Sequence, residues 1–125
     1  MDGIVRFLVV EPHTLVQMDL AQSLEELVPH AQVARLQSLS AAEHEVEQWD
    51  RLEGAVIGVG VDALRDTMLP ELIRQRGGWI ICLDADRAAA EREGWSALGR
   101  PVFSDDLVVV VRGLMSSRSR TAAAF

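Results

Sequence analysis

Residues Gly54–Val61 have the sequence Gly-Ala-Val-Ile-Gly-Val-Gly-Val, the most apolar short run near the middle of the chain. The run is too short for an ordinary helix, and it lacks the alternation of polar and apolar residues seen in a half-exposed strand. An unbroken apolar run of this length is typical of a parallel strand covered by helices on both faces. We therefore predict that Gly54–Val61 is the central strand of a sheet.

Four other segments have the composition of strands: Phe7–Val10, Val33–Leu36, Trp79–Leu83 and Ala97-Leu98. The segments between them carry helical patterns, such as an apolar stripe that begins at Val16 and ends before Pro29. Alternation of strands and helices with short connections indicates a parallel sheet with helices on both faces. Ligand sites in such sheets lie beyond the carboxyl ends of the strands.

Local signals predict where several helices begin and end. Ser40 followed by Glu43 is a capping-box pattern, and Pro70 predicts a break or a restart within a helix over Asp62–Arg76. Ser104, followed by two aspartates, predicts the start of the last helix. Ser116–Phe125 has no core pattern, so we predict a domain over residues 1–115 and a disordered tail over 116–125.

Composition excludes several classes of function. The chain has 125 residues, and its net charge of −7 argues against nucleic acid as a direct partner. No segment approaches the roughly 20 consecutive apolar residues needed to cross a bilayer. No signal peptide is visible, and the single cysteine, Cys82, lies in an apolar run typical of a core. These features predict a cytoplasmic protein of one domain with no membrane association.

Few residues suggest a metal or a cofactor. His13, His30 and His44 lack metal-ligand spacing, and none pairs with a plausible nucleophile. The glycines of the central run do not form a dinucleotide-binding fingerprint, because the third glycine and the following helix start are missing. We therefore predict no metal, no cofactor and no enzymatic activity.

Three stretches together resemble a known family. Phe7–Glu11 has the composition of an apolar strand with an acidic end, and in Met18–Leu27 acidic residues alternate with the apolar residues of a helix. Gly99–Phe103 contains Arg-Pro-Val-Phe and precedes a helix that begins with acidic residues. These stretches are similar to the first strand, the first helix and the Lys-Pro-Phe turn of receiver domains from bacterial two-component response regulators. The resemblance covers about residues 5–115. It implies a flavodoxin-like, doubly wound α/β fold with a five-stranded parallel sheet of order 2-1-3-4-5.

In receivers a phosphoryl group passes from a partner histidine to an aspartate on the third strand, beside a Mg²⁺ held by acids of the first strand. Carried over by position, the acid pair becomes Glu11 and Pro12, and the acceptor becomes Gly58, which has no nucleophile. The hydroxyl residue of the fourth strand becomes Asp84, and the lysine of the fifth becomes Arg100. The resemblance implies a degenerate receiver that signals through protein partners, a histidine kinase or a regulator, without phosphorylation.

Three interpretations of this altered site remain open. Glu11, Asp84 and Arg100 are solvated polar residues at the sheet edge, or an Asp84–Arg100 pair locks the switch surface in one state. In the third interpretation, Gly58 and Gly60 leave room for a small ligand. That last possibility supports an alternative function, a small-molecule-binding or enzymatic module on a flavodoxin-like sheet.

The last helix has more apolar residues than the fold requires. Its core stripe is provided by Leu107, Val110, Val111 and Leu114, with the spacing i, i+3, i+4, i+7. Val108, Val109 and Met115 are then surplus, and Arg112 gives them a charged margin typical of an interface rim. The dimer surface of receivers commonly includes this helix. We therefore predict a homodimer, or a docking site for a regulator, at Val108, Val109, Arg112 and Met115.

Overall fold

The computed structural model describes residues 4–83 and 86–123, and side chains as far as residue 117. Its strands are β1 (Arg6–Val10), β2 (Gln32–Leu36), β3 (Gly54–Ile57), β4 (Trp79–Leu83) and β5 (Ser96–Leu98). Its helices are α1 (Thr14–Leu27), α2 (Leu39–Val46), α3 (Val61–Arg65), α4 (Leu69–Gln75), α5 (Arg87–Arg92) and α6 (Ser104–Ala123). No helix in this part of the chain is both long and apolar enough to cross a membrane.

The strands form one parallel sheet of order β2-β1-β3-β4-β5, which confirms the predicted topology. The central position belongs to β3, whose four residues are all buried. Its register places Ile57 beside Val10 of β1 and beside Cys82 of β4. The carboxyl ends of β1, β3 and β4 therefore meet at one edge of the sheet, where ligand sites of such folds lie.

Two hydrophobic layers cover the sheet, as the unbroken apolar strands predicted. Along β1, Leu8 and Val10 belong to one layer, with residues of α2, α3, α4 and α5. Phe7 and Val9 belong to the other layer, with residues of α1 and α6. This alternation follows from the period of two in a strand, which sends successive side chains to opposite faces. Burial on both faces explains why β1, β3 and β4 contain no polar residue between their ends.

The start of β3 is shaped by a tryptophan. A Cβ atom at Gly54 would lie 2.1 Å from the Trp79 ring, much closer than any real contact. The Trp79 indole N–H donates to Glu53 Oε2 at 2.8 Å, and its ring centroid lies 5.9 Å from that of Phe7. Position 54 must therefore be glycine, because the indole ring occupies the space of any larger side chain.

Several helix boundaries differ from the prediction. The run Gly54–Val61 is a strand only as far as Ile57, and Val61 already begins α3. The N-cap of α2 is Ser38, whose hydroxyl accepts from the Ala41 N–H at 3.1 Å. Glu43 takes no part in a capping box and instead accepts from the Met68 N–H at 2.8 Å. The predicted break at Pro70 is confirmed, because this proline lies in the first turn of α4.

The structure describes residues 116–123 of the segment that was predicted as a tail. Helix α6 continues to Ala123, so residues 116–123 are helical. Alanine, serine and arginine are compatible with a helix, and no proline or glycine follows Gly113 to end it. Residues 124 and 125 lie outside the described part of the chain. The core stripe of α6 is confirmed, since Leu107 and Val111 are buried and Val110 and Leu114 pack against the same layer.

Candidate functional site

The backbones of Glu11 and Gly58 lie side by side at the carboxyl edge of the sheet. The Glu11 N–H donates to the Leu36 carbonyl at 3.0 Å, and the Gly58 N–H donates to the Val10 carbonyl at 2.6 Å. Both residues thus extend the ladders of β1 by one hydrogen bond past the regular strands. Their side-chain positions are close because the parallel register holds the two backbones in step.

The Glu11 carboxylate fills the space that Gly58 leaves. Glu11 is 0% exposed, and a Cβ atom at position 58 would lie 2.7 Å from its Oε2 and 2.9 Å from its Cδ. The acidic group on β1 therefore occupies the volume in which a side chain on β3 would project. Gly58 itself brings no functional group to the site, and because it has no Cβ the Glu11 carboxylate can approach the Gly58 backbone closely.

Arg100 compensates the buried charge. Its Nη2 lies 2.6 Å from Glu11 Oε1 and donates to the Gly58 carbonyl at 3.3 Å. The contact with Glu11 is an ion pair by distance, but no described N–H is aligned with either carboxylate oxygen for a hydrogen bond. A buried carboxylate without a cation costs several kcal/mol of desolvation energy. The Arg100 side chain is 28% exposed, so the pair closes the site on its solvent side.

Gln17 is a site residue that the sequence analysis missed. Its side-chain N–H₂ donates to the Glu11 carbonyl at 3.3 Å and to the Leu36 carbonyl at 3.0 Å. Gln17 is only 7% exposed, and it ties the first turn of α1 to the ends of β1 and β2. The available signal was its spacing: Gln17, Leu20 and Leu24 lie at i, i+3 and i+7, which places a polar residue in the buried stripe.

The other predicted site residues have different outcomes. Asp84 lies outside the described residues, as does the predicted Asp84–Arg100 pair, and Arg100 makes its described ion pair with Glu11. Pro12 is exposed beside the strand end. Of the room that the third interpretation expected at Gly58 and Gly60, the part at Gly58 is occupied by Glu11 and Arg100. A Cβ atom at Gly60, in contrast, would meet no heavy atom of the described residues within 4 Å.

A groove lies between α1 and the β5–α6 connection, next to Arg100. Its volume is about 750 Å³, and it is lined by apolar residues that include Leu20 and Val102 and by the acids Asp19 and Glu26. Ser23 and Ser104 also line it, and their hydroxyls lie 2.8 Å apart. Of the predicted site residues, Arg100 lines this groove, but the sequence analysis did not predict a groove here.

Other candidate groups carry little chemistry. Among residues 4–83 and 86–123, no group of three histidine, cysteine, aspartate or glutamate residues is arranged to hold a metal ion. Cys82 is buried in β4, and this burial raises the pKa of its thiol to about 11. A thiol with such a pKa is protonated at neutral pH, so Cys82 is a core residue and not a nucleophile.

The predicted interface residues lie on α6. Val109 is 69% exposed, Arg112 is exposed, and Val108 is half-buried. Met115 is also half-buried, and it packs partly against the layer that α1 and α6 share. The surplus apolar residues therefore do reach the surface, most fully at Val109.

One solved structure with a similar fold is that of a response regulator receiver protein from Sinorhizobium medicae WSM419. The two chains are 18% identical with a TM-score of 0.68, over 93% of this chain and 98% of the other. At this identity the likeness establishes a shared fold, a five-stranded parallel sheet of receiver type. No family model matches the sequence, and no curated protein matches it.

Proposed function

We propose that this chain is a degenerate receiver domain that acts in two-component signal transduction through protein contacts, without aspartyl phosphorylation. The observation that carries the proposal is the Glu11 carboxylate in the space beside Gly58. In the receiver family this volume belongs to the side chain of the acceptor aspartate. Here the position has no nucleophile, and its space is filled from the neighbouring strand.

The Glu11–Arg100 pair suggests how such a domain is held in one state. The resemblance assigns to position 100 a cation that contacts phosphoryl oxygens after phosphorylation. In this chain the cation lies against a permanent internal anion, 2.6 Å from Glu11 Oε1. The pair thus takes the place of the proposed Asp84–Arg100 lock, and the switch surface depends on no phosphoryl donor.

The proposed partners are proteins: a histidine kinase, a regulator, or a second copy that binds through α6. The half-exposed and exposed apolar residues on α6 support such contacts. The net charge is −7 and most arginines are scattered along the sequence, which argues against direct nucleic-acid binding.

The direct test is phosphorylation. The purified protein is incubated with acetyl phosphate and Mg²⁺, and separately with a phosphorylated histidine kinase, and its intact mass is followed alongside a phosphorylatable receiver. We expect no phosphoryl adduct on this chain and full labelling of the positive control. An aspartyl phosphate at any site-face acid, Asp62 included, would overturn the proposal.

The groove beside Arg100 favours a second candidate function, a small-molecule-binding module. Its volume of about 750 Å³ lies within the range of ligand pockets, and it combines apolar walls with a few polar groups. Thermal shifts against a panel of nucleotides and flavins test this candidate. A shift that saturates with one compound, and that is lost in Val102→Arg but kept in Leu15→Arg, supports the groove as a binding site.

A further inference from the structure

The groove between α1 and the β5–α6 connection has two acids on its α1 side. Asp19 and Glu26 are seven residues apart, which places them on the same face of the helix and about 10.5 Å apart along its axis. Both are exposed, and no side chain that the structure describes forms an ion pair with either. Arg100 also lines the groove, but its charge is compensated by Glu11. The groove therefore carries a negative charge that the described chain does not neutralise.

Helix α1 gains no stability from these two acids. Asp19 lies in the middle of the helix, where aspartate is a poorer helix former than alanine or glutamate. Glu26 lies in the last turn, where a carboxylate faces the negative end of the helix dipole. The adjacent Glu25 offsets this effect through an ion pair with Arg35 at 2.8 Å, whereas Glu26 has no such partner among the described residues. Residues that break local rules without a gain for the fold point to a functional site.

The hydrogen bonds within the groove leave it rich in acceptors. The Ser23 hydroxyl donates to the Asp19 carbonyl at 3.0 Å, so in its 2.8 Å contact with Ser104 it is the acceptor. The Ser104 hydroxyl has then used its proton and keeps its lone pairs. The side-chain N–H₂ of Gln22 donates to Glu26 Oε1 at 3.0 Å, which leaves the carboxylate its charge. The groove therefore offers oxygen acceptors to a ligand that brings its own donors.

We propose that the groove binds a linear aliphatic polyamine, with one terminal ammonium group at Asp19 and the other at Glu26. A primary ammonium group has three donors and no acceptor, so it complements the oxygens of the groove. The methylene segments pack on the apolar lining, which includes Val16, Pro101 and Val102. Extended spermidine or diaminooctane has terminal nitrogens about as far apart as the two acids. Nucleotides and flavin phosphates bring anions, which the two carboxylates disfavour.

This inference rests on the second candidate function, the groove as a small-molecule site, and is independent of phosphorylation. If a nucleotide or a flavin binds and Val102→Arg abolishes its binding, the groove remains a site and the cationic ligand class is wrong. If a polyamine binds and an aspartyl phosphate also forms, the ligand class remains and the unphosphorylated receiver is wrong. The proposals can therefore fail separately.

The test is calorimetric titration of the full chain at low salt with diaminooctane and with spermidine. We expect saturable binding of one molecule per chain, and diaminopropane, which is too short to reach both acids, should bind about three- to fivefold more weakly. Asp19→Asn and Glu26→Gln should each weaken diaminooctane binding by a similar factor, and the double variant by at least about tenfold. Glu91→Gln removes an exposed acid on α5 and should leave the affinity unchanged. Equal affinity in the wild type and the double variant would show only a general attraction of cations to an acidic protein, and would refute the site.

Thermal unfolding separates a binding role of the two acids from a structural one. Because neither charge stabilises α1, Asp19→Asn and Glu26→Gln should keep or slightly raise the unfolding midpoint in the absence of ligand. The increase in the midpoint that spermidine produces should be smaller in each variant than in the wild type. A double variant that is less stable than the wild type without ligand would mean that the acids support the fold, and would overturn their assignment to a ligand.

Discussion

The two ends of β3 solve the same steric problem with different chemistry. At the start, Gly54 leaves space for the Trp79 ring, and just past the end, Gly58 leaves space for the Glu11 carboxylate. The first neighbour is a rigid aromatic plane that is partly buried and packs against the core. The second is a flexible acid that needs Arg100 to remain buried. The comparison indicates that one glycine serves the stability of the fold, while the other creates the altered site.

The largest effect is expected at the rigid end. In Gly54→Val the new side chain meets ring atoms at about 2 Å, so either the ring or the backbone of β3 must move. We expect a loss of at least about 3 kcal/mol in the free energy of unfolding, measured by urea denaturation. Gly60→Val, in the open loop after β3, is the control and should lose less than 1 kcal/mol. Similar losses in both variants would show that the ring does not determine residue 54.

At the carboxyl end of β3, removal of the Arg100 cation should lower the free energy of unfolding by less than the change at Gly54. Arg100→Ala leaves the Glu11 carboxylate buried without its ion pair, and we expect a loss of about 2–4 kcal/mol, toward the lower value because Arg100 is partly exposed. In a Glu11→Gln background the same change should cost under about 1 kcal/mol, because no buried charge remains. Equal costs in the two backgrounds would mean that Glu11 and Arg100 are not energetically coupled.

How far these two ends could be predicted from the sequence depends on the range of the interaction. The strands were predictable because burial on both faces requires an unbroken apolar run, as in Trp79–Leu83, whose predicted bounds are those of the structure. The identity of Gly58 was also visible in the sequence. The burial of the Glu11 carboxylate beside Gly58 was not visible, because it depends on how far the Glu11 side chain reaches from β1 toward β3.

Other differences from the prediction have physical causes of their own. Ser38 and Ser40 lie two residues apart, and serine is favoured as an N-cap at either position. The path of the chain after β2 determines that α2 begins after Ser38. Gln17 has the spacing of a core position, but its two acceptors are backbone carbonyls at the ends of two different strands, which a sequence pattern does not identify. The end of α6 was missed because a polar, alanine-containing segment is compatible with both a helix and a tail.

The next prediction compares the two glycines directly. In Gly58→Ala the new methyl group lies 2.7 Å from Glu11 Oε2 and 3.0 Å from Arg100 Nη2, which are the ends of flexible side chains. They can move, so we expect a loss of only about 1–2 kcal/mol in the free energy of unfolding. The additional change Glu11→Ala vacates the space and should make the methyl group nearly neutral. If it does not, backbone strain and not the carboxylate opposes a side chain at position 58.

The smallest effect concerns Cys82, which lies beside Ile57 in the sheet and so reports on the carboxyl half of β3. Burial raises the pKa of its thiol from 9.0 to about 11, so at pH 7 its thiolate is about 100-fold rarer than that of an ordinary cysteine. Between pH 9 and 11 the unfolded chain loses this proton while the folded chain keeps it, and stability therefore falls as pH rises through this window.

At pH 7.5, labelling of the Cys82 thiol by a disulfide reagent should be slow in the wild type and should require opening of the sheet. If the charged end opens locally in Arg100→Ala, Cys82 should label faster in that variant than its global stability predicts. Labelling that follows global stability in both proteins would mean that the two ends of β3 open together, and the distinction between them would then be one of chemistry and not of local stability.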